Sequence, residues 1–512
     1  MKNHCRYLIL ALIGAINMGL HMFPGYNFEY HRDELLYFSL CNHLDFGYAT
    51  TPPLVAYMAF LSKSIFGYSV FSVRFFPALF SGIVAFLTAM IAKELKGNFK
   101  SQVLSAIGVT GTMFLVTIFG VFTPYYLDVF FWTLIIYLIV KFINTENNKI
   151  LMLLGIVIGF SVLNKYNVLF LITAILLVIP FTRHRKIFSN KFLYIGLFLT
   201  VIIVSPNIIW QITHQFPVIN HMKELKESQL DNVNRLEFII EQLIFLLPFT
   251  FIVLPGIIFF LIEKQLKEYR FLISVSAVVL LLFLLLKGKS FYTAGLFPFF
   301  IVTGALFLEK VFARKYQYFS VAGILVILSA LLLPMGLPLF KPIKMAHYFD
   351  AFASVTGADF LRKDEDGNYR KLPQVYADML GWNEITEKTS VAWMQVKDKN
   401  SSFIFCANYG QAGAISVIGN KYNLPEPVSF SESFQYWIPK EFENEITELV
   451  YVFGTDAMDS GSFKDLNNFF NERVEIGTVE NSLAIEFGTK IYLFKNPKSD
   501  FNEFWKGQIS GY

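Results

Sequence analysis

The stretch EYHRDELLYFSLCNHLDFGYATTPPLVAY, residues 29–57, is the first polar segment after a hydrophobic N-terminus. Asp33 and Glu34 are adjacent in it, beside two histidines and an arginine. Neighbouring residues on a helix point about 100° apart, so one carboxylate can face a site while the other caps, pairs or faces solvent. Pro52 and Pro53 end this structure before the next apolar run. The segment is typical either of a solvated loop between membrane helices or of an active-site loop.

The composition places the chain among membrane proteins. Of its 512 residues, 54% are hydrophobic and only 16% are charged, which is more apolar surface than one soluble core uses. The net charge of +4 is spread over short clusters and forms no basic face, which argues against a nucleic-acid partner. Three cysteines allow no disulfide framework. The N-terminal run has no small-x-small cleavage signal after it, so we expect an uncleaved first span.

Several apolar runs are long enough to cross a bilayer, which takes about 20 helical residues. They lie near residues 6–23, 70–92, 192–212, 238–262, 271–287, 291–308 and 319–340. Residues 101–143 would form a helix about 65 Å long, so we expect them to fold back at residues 123–126, where a proline interrupts the pattern. This break leaves Asp128 just inside the returning helix.

The block at residues 150–181 is long for one span and short for two, and the charge pattern decides the choice. Lys and Arg favour cytoplasmic loops. If the block crosses twice, with a turn at residues 164–167, all basic clusters lie on one side. These clusters are Lys2/Arg6, Lys93/Lys96/Lys100, Lys141/Lys149, Arg183/Arg185/Lys186/Lys191, Lys264/Lys267/Arg270 and Lys310/Arg314/Lys315.

We therefore predict a polytopic α-helical protein of the plasma (inner) membrane, with about eleven transmembrane helices and a cytoplasmic N-terminus. Residues 1–340 form the transmembrane catalytic domain, with a first outer loop at residues 24–69. Residues 54–67 are interpreted as an amphipathic helix on the outer surface.

After residue 340 the composition becomes more polar, and residues 341–512 are predicted to form a soluble extracytoplasmic α/β domain. Strands are expected at residues 402–406, 449–453 and 491–494, and helices at 373–396 and 463–470. The sequence GQAG at residues 410–413 lacks the further glycines and the lysine of a phosphate-binding loop.

The predicted topology gathers polar residues at one membrane face, where ionisable groups usually line a cavity. They are Asp33, Glu34, Asp128, Lys165, His214, His221, Lys287, Lys289 and Tyr292. Each also has a plain structural interpretation: Asp128 can cap a helix start, Lys165 can extend to the interface, and the histidines can be ordinary loop residues. No spacing matches a known metal site, so we expect no metal ligands, although His31 or His43 with a nearby carboxylate is a weak alternative.

The order of motifs along the chain resembles the bacterial glycosyltransferase family 39-like proteins, which are related to the protein O-mannosyltransferases and to the aminoarabinose transferases that modify lipid A. The resemblance rests on RDELLY, GYATTPPLVAY, FGYSVFSVRFFPALFSG, FTPYYLDVFFW, VLNKYN, SPNIIWQITHQFP, KSFYTAGLFP, YGQAGAISVIG and LPEPVSFSESFQYW. It covers most of the chain. One departure is Thr50 and Thr51, which stand where the aminoarabinose transferases carry a charged pair before PPL.

This resemblance implies the GT-C fold and a sugar donor carried on a polyprenyl phosphate at the extracytoplasmic face. Asp33 matches the acid of the family's first loop, Asp128 that of its second outer loop, and Lys165 the lysine of its LSKY-like turn. We expect Asp33 and Asp128 to be catalytic. The residues expected to bind substrate are Glu34, Tyr37, Lys165, Tyr166, His214, Lys287, Lys289 and Tyr292.

The predicted reaction is the attack of an acceptor hydroxyl on the anomeric carbon, with Asp33 as base, Lys165 holding the departing phosphate and Asp128 orienting acceptor or base. A single displacement inverts the configuration. The acceptor is a protein, a lipid or a glycan, and membrane lipids surround the spans. The alternatives are a glycan ligase or polymerase at the same membrane face, a polytopic transporter, and a sensor or binding protein with its specificity in the outer domain. A transporter would require midplane charges and repeated halves.

Overall fold

The computed structural model describes residues 3–312, 314–364, 367–454 and 461–509, and most of them are helical. The chain divides into two compact units. The first contains Met1–Pro24, Asp45–Met58 and Arg74–Leu337. The second contains Gly25–Leu44, Ala59–Val73 and Pro338–Tyr512. The predicted domain boundary after residue 340 stays a prediction.

In the described part of the chain, the first unit consists of helices and the loops that join them. Its helices are α1 (Asn3–Met22), most of α4 (Val70–Glu94), α5 (Phe99–Gly111), α6 (Met113–Gly120), α7 (Pro124–Thr145), α8 (Lys149–Asn164), α9 (Val168–Val178), α10 (Lys191–Thr213), α11 (Pro217–Ser228), α12 (Arg235–Phe245), α13 (Thr250–Ile262), α14 (Phe271–Leu285), α15 (Phe297–Val311) and α16 (Lys315–Gly336). Helices α2 (Arg32–Ser39) and α3 (Leu54–Phe66) precede α4 in the chain.

Within the described part of the chain, six helices are long and apolar enough to cross a membrane, and three sharply bent helix pairs raise the number to nine if each is one span. The predicted breaks are present. Helix α6 ends at Gly120 and α7 begins at Pro124, while α8 ends at Asn164 and α9 begins at Val168. The polytopic helical class is confirmed, and the count of eleven spans stays a prediction.

Helices α8 and α10 approach each other at two glycines. A Cβ built on Gly155 would lie 2.1 Å from the Gly196 carbonyl oxygen, so no larger side chain fits at this crossing. The Thr200 hydroxyl donates to the Gly155 carbonyl at 2.7 Å. Small residues and interhelical hydrogen bonds are how helices associate in an apolar medium. This crossing holds the middle of α8 against α10, and α8 continues into the turn carrying Lys165.

The second unit contains a four-stranded sheet. Its elements after residue 340 are α17 (Pro342–Thr356), α18 (Gln374–Ala377), α19 (Trp382–Met394), β1 (Ser402–Cys406), α20 (Tyr409–Val417), β2 (Glu448–Phe453), α21 (Gly461–Phe469), β3 (Phe470–Thr478), β4 (Lys490–Pro497) and α22 (Phe501–Ile509). The strand order is β1-β2-β4-β3. Strand β1 pairs with β2 in parallel, and the other two pairings are antiparallel.

The sheet is held by an aromatic core. Phe403, Tyr451, Phe494, Phe501 and Trp505 are all buried in one cluster. Strand β2 is buried along its whole length, as expected for a central strand with both faces covered. The three predicted strands are confirmed. The sequence prediction missed β3, because this edge strand is mostly exposed and carries polar residues without a clear apolar alternation.

The GQAG sequence at residues 410–413 forms the first turns of α20. The Asn408 side chain accepts a hydrogen bond from the Gln411 backbone at 3.0 Å and so caps the helix start. Gly413 then faces α2, where an added Cβ would lie 2.8 Å from the Leu35 carbonyl carbon. The small residues therefore allow α20 to pack closely on α2, which carries Asp33.

Candidate functional site

The first polar site lies in the all-helical unit, around a carboxylate near the start of α7. Asp128 is only 2% exposed. The Asn167 amide, on the turn between α8 and α9, donates to Asp128 Oδ2 at 2.8 Å. The same nitrogen donates to the Tyr292 carbonyl at 2.8 Å. One buried amide thus connects three segments that are far apart in sequence.

Lys165 lies on the same turn, and its ammonium faces two aromatic rings. Its Nζ is 3.6 Å from the centre of the Tyr125 ring and 5.0 Å from that of Tyr292. The two rings are nearly parallel, 6.1 Å apart. A cation over an aromatic face gains about 0.5 to 2 kcal/mol, more when water is excluded. Below, the Asp128 site means Tyr125, Asp128, Lys165, Asn167 and Tyr292.

The turn that carries Lys165 is fixed on both sides. The Asn164 amide donates to the Pro124 carbonyl at 2.9 Å, which ties the end of α8 to the start of α7. The Tyr166 hydroxyl donates to Asn207 on α10 at 2.7 Å. The Asn207 amide in turn donates to the Phe46 carbonyl at 2.7 Å. The position of the ammonium is therefore set by the fold and not by a flexible loop.

The remaining predicted residues of this unit make separate contacts. The His214 ring stacks on Trp210 at 4.1 Å. Lys287 Nζ donates to the Asp231 carbonyl at 2.9 Å. Lys289 Nζ lies 5.6 Å from the centre of the Phe291 ring.

The charge of Lys165 affects the pKa of His221 on α11. Burial lowers the pKa of His221, nearby Glu224 raises it and the Lys165 ammonium lowers it again. The polar segment after α10 therefore contributes to the electrostatic surroundings of the Asp128 site.

The second polar site lies in the other unit, at the start of α2. His31 is the N-cap, and its ring accepts from the Asp33 backbone at 3.1 Å. Glu34 is fully buried and its carboxylate accepts from the His31 backbone at 2.8 Å. This is a reciprocal capping box. Of the adjacent acids, Glu34 thus caps the helix, whereas half-buried Asp33 accepts from the Tyr409 hydroxyl at 3.1 Å.

Arg32 sets the charge balance of this second site. Its guanidinium lies 4.4 Å from the centre of the Tyr409 ring. Burial lowers the pKa of Arg32, but Tyr409, Glu486 and Asp378 raise it, and the pKa is raised overall. Burial raises the pKa of Asp378 to about 6, against the attraction of His31 and Arg32. Below, the Asp33 site means Arg32, Asp33, Asp378, Tyr409 and Glu486.

The Glu486 carboxylate is held by polar side chains. It accepts from Asn408 at 3.0 Å, from Gln411 at 2.8 Å and from Thr489 at 2.7 Å. Asn408 and Gln411 are also the residues that form the start of α20. The sequence motif around α20 is therefore part of the Asp33 site.

The structure brings Asp128, Lys165 and Tyr292 together. Their position at one membrane face stays a prediction. Asp33, Glu34 and Tyr37 belong to the other unit. That Asp33 and Asp128 act in one catalytic site stays a prediction.

Sequence reasoning missed Tyr125 and Asn167, although both lie inside motifs that carry the family resemblance. It also missed Asp378, Tyr409 and Glu486, because no local pattern pairs residues about 350 to 450 positions apart with α2. Among the described residues, no three or more His, Cys, Asp or Glu side chains group as metal ligands would. The expectation about a metal stays a prediction.

Fold and site together define a polytopic helical membrane protein with a buried acid, a lysine between tyrosines and a small sheet-containing unit. Residues 50–210 match the profile of the family described as dolichyl-phosphate-mannose-protein mannosyltransferase. No curated protein matches the chain in sequence.

Among solved structures, ArnT from Cupriavidus metallidurans in the apo state aligns with a TM-score of 0.63 at 10% identity, covering 96% of this chain and 98% of ArnT. The structure of the same protein bound to undecaprenyl phosphate aligns with a TM-score of 0.61 at 9% identity. The alignment covers 94% of this chain and 97% of ArnT. A third match is the archaeal oligosaccharyltransferase AglB from Archaeoglobus fulgidus, in complex with an inhibitory peptide and a dolichol-phosphate. It aligns with a TM-score of 0.46 at 12% identity, covering 88% of this chain and 69% of AglB.

The family profile and the near-complete superposition on ArnT confirm the GT-C fold and the resemblance derived from the motifs. In sequence the chain is similar to this mannosyltransferase family over residues 50–210, and in structure it has the GT-C fold.

Proposed function

We propose that the protein transfers a sugar from a polyprenyl-phosphate donor to an acceptor hydroxyl at the extracytoplasmic face of the plasma (inner) membrane. The observation that carries this proposal is the Asp128 site. A buried carboxylate and a positioned ammonium lie in the helical unit, where ionisable groups are costly and usually serve a substrate. The match to a family of dolichyl-phosphate-mannose-protein mannosyltransferases and the binding of undecaprenyl phosphate by ArnT support a lipid phosphate as the donor group.

In this proposal Lys165 binds the phosphate that links the sugar to the lipid. The negative charge on that phosphate grows as the bond to the anomeric carbon breaks. A cation already in position stabilises this charge without reorganisation, which is usually the largest contribution to catalysis. The rings of Tyr125 and Tyr292 and the anchored turn hold the ammonium in place.

Asp33 is proposed as the general base. The acceptor oxygen forms a bond to the anomeric carbon, its proton moves to the Asp33 carboxylate, and the lipid phosphate leaves from the opposite face with its electron pair. A single displacement of this kind inverts the anomeric configuration. Asp128, held by Asn167, orients the acceptor or the base.

The test is a transfer assay in membranes that contain the full chain. Undecaprenyl phosphate carrying radiolabelled mannose or radiolabelled aminoarabinose is supplied in turn, and transfer of label is measured for the wild type, Asp33→Asn and Asp128→Asn. We expect both variants to accumulate normally and to lose about 100-fold or more of the rate, since general-base catalysis contributes about 10² to 10⁴.

Asp359→Asn is the matched control, because this carboxylate is exposed and pairs with Arg362 on the surface. It should transfer at the wild-type rate. Wild-type transfer by both Asp33→Asn and Asp128→Asn would contradict the proposed mechanism.

A further inference from the structure

A cavity of about 540 Å³ opens in the helical unit where several apolar helices end. Its apolar wall comes from the ends of α9 and α13 and from the start of α14, through Leu177, Val178, Leu261 and Phe271. Phe181, also in the lining, is 92% exposed. A soluble protein rarely leaves such residues uncovered, whereas a lipid-facing surface carries them normally.

The opposite lining of this cavity is basic. Arg183, Lys267 and Arg270 face a single acid, Glu268, which leaves two positive charges in excess with His184 counted as neutral. Glu268 is already engaged, because its carboxylate pairs with Arg183 and its carbonyl contacts His184 Nε2 at 2.8 Å. The excess charge therefore belongs to Lys267 and Arg270.

Arg270 is oriented by the end of α13. Its terminal nitrogen donates to the carbonyls of Ile262 and Glu263 at 3.0 and 3.3 Å. Its Nε is buried and has no hydrogen-bond partner in the described part of the chain. Lys267 is exposed and makes no ion pair with any described residue. A cation that lines an apolar cavity without an acidic partner is stabilised by a bound anion.

The backbone at the cavity has the geometry of a membrane-water boundary. The helical segments Val168–Phe181 and Arg183–Ser189 meet at 109°, so the chain turns from the direction of a span into a basic segment. The residues of this turn belong to the basic clusters that the sequence assigns to the cytoplasmic side. Basic pockets between helices at such a boundary suit a lipid headgroup.

We propose that this cavity binds an anionic phospholipid. The headgroup phosphate takes its contacts from Lys267 and Arg270, and an acyl chain lies along the wall formed by Leu177, Leu261 and Phe271. This site is separate from the Asp128 site and does not depend on the proposed reaction. The apolar wall favours a lipid over a soluble phosphate compound, and the positive excess favours an anionic over a zwitterionic headgroup.

The test uses native mass spectrometry of the delipidated full chain in detergent micelles, titrated with phosphatidylglycerol. The affinity is compared with that of Lys267→Gln/Arg270→Gln. We expect the double variant to bind about 25-fold more weakly, because each basic residue contributes a factor of about five toward an anionic lipid. The control is Arg185→Gln/Lys186→Gln, which removes two charges from the basic segment Arg183–Ser189 but leaves the cavity lining unchanged.

Equal affinities for the wild type and the double variant would overturn the proposal, as would an equal loss in the control. Competition by sn-glycerol-3-phosphate or phosphatidylcholine as strong as that of phosphatidylglycerol would also overturn it. If removing Arg270 prevents folding, Lys267→Gln alone decides the question, with an expected loss of about fivefold, and unchanged binding contradicts the site.

Discussion

The Asp128 site and the Asp33 site both combine a carboxylate, a cation and tyrosine, yet they balance charge differently. In the Asp128 site, one acid and one lysine are contacted by neutral groups. The Asn167 amide donates to the Asp128 carboxylate, and two tyrosine rings contact the Lys165 ammonium. In the Asp33 site three acids act on Arg32, and one of them, Asp378, is buried with a raised pKa.

The two sites balance charge differently because their environments differ. Within an apolar helical unit, each extra charge adds a large desolvation cost, so neutral amides and aromatic rings orient the few charges that function requires. In the Asp33 site, Arg32 and Asp33 are only half-buried, and a crowded set of charges can fix the start of α2 against α20. The comparison therefore predicts different responses when single side chains are altered.

The largest expected structural effect is at Asn167. Asn167→Leu removes the amide that donates to the Asp128 carboxylate and leaves this buried carboxylate less well compensated. We expect a loss of about 3 kcal/mol in unfolding free energy, the usual result of breaking one side of a buried charged contact. Thermal unfolding in detergent micelles measures it.

Asn164→Leu is the matched control, because it removes a buried hydrogen bond to a neutral carbonyl on the same turn. It should cost about 1 to 2 kcal/mol. If both variants lose the same unfolding free energy, the hydrogen bond to the Asp128 carboxylate stabilises the fold no more than a hydrogen bond to a neutral carbonyl.

A smaller effect, dependent on pH, is expected at Asp378. Its folded-state pKa of about 6 lies above the ordinary value of 3.8, so the folded protein holds a proton that the unfolded chain has lost between these pH values. Stability from this group therefore falls as pH rises from about 4 to about 6, by at most about 3 kcal/mol. Asp378→Asn should abolish this dependence.

The measurement for Asp378 is thermal unfolding of both proteins at pH 4.5 and pH 7. Relative to the wild type, Asp378→Asn should gain stability at the higher pH. Exposed Asp359→Asn serves as the control and should follow the wild type. A pH-independent difference between Asp378→Asn and the wild type would show that burial of this carboxyl does not govern the Asp33 site.

The smallest effect is expected from Tyr409→Phe. This change removes the hydroxyl that donates to Asp33 but keeps the ring beneath Arg32. We expect a loss of about 1 to 2 kcal/mol in stability. If Asp33 is the base, the maximal transfer rate should fall about tenfold with little change in KM, since the base loses its orientation.

Tyr369→Phe is the control for Tyr409→Phe, because Tyr369 is 66% exposed. A raised KM with an unchanged maximal rate for Tyr409→Phe would place Tyr409 in acceptor binding and not in positioning Asp33.

The sequence was most informative where local chemistry determines structure. Proline at position 124 and the polar turn at residues 164–167 mark the helix breaks that place Asp128 and Lys165, and motif order predicts the GT-C fold. The sequence alone did not show which of the adjacent acids, Asp33 or Glu34, caps α2. The capping box in the structure assigns that role to Glu34.

The Asp33 site was predicted least completely, because its partners come from three distant segments. Asp378 precedes α19, Tyr409 opens α20 and Glu486 lies between β3 and β4. Their meeting depends on tertiary packing, such as the close contact of Gly413 with α2, and not on any periodic pattern. Edge strand β3 was missed for a related reason, since its exposed face carries no alternation to detect.

If Lys165 binds the phosphate of a lipid-linked donor, the affinity of the purified chain for undecaprenyl phosphate depends on this side chain. Lys165→Gln should weaken binding by about 10- to 100-fold, the value of one charge-assisted contact, while Lys223→Gln on exposed α11 should bind as the wild type does. Unchanged affinity in Lys165→Gln would contradict the account.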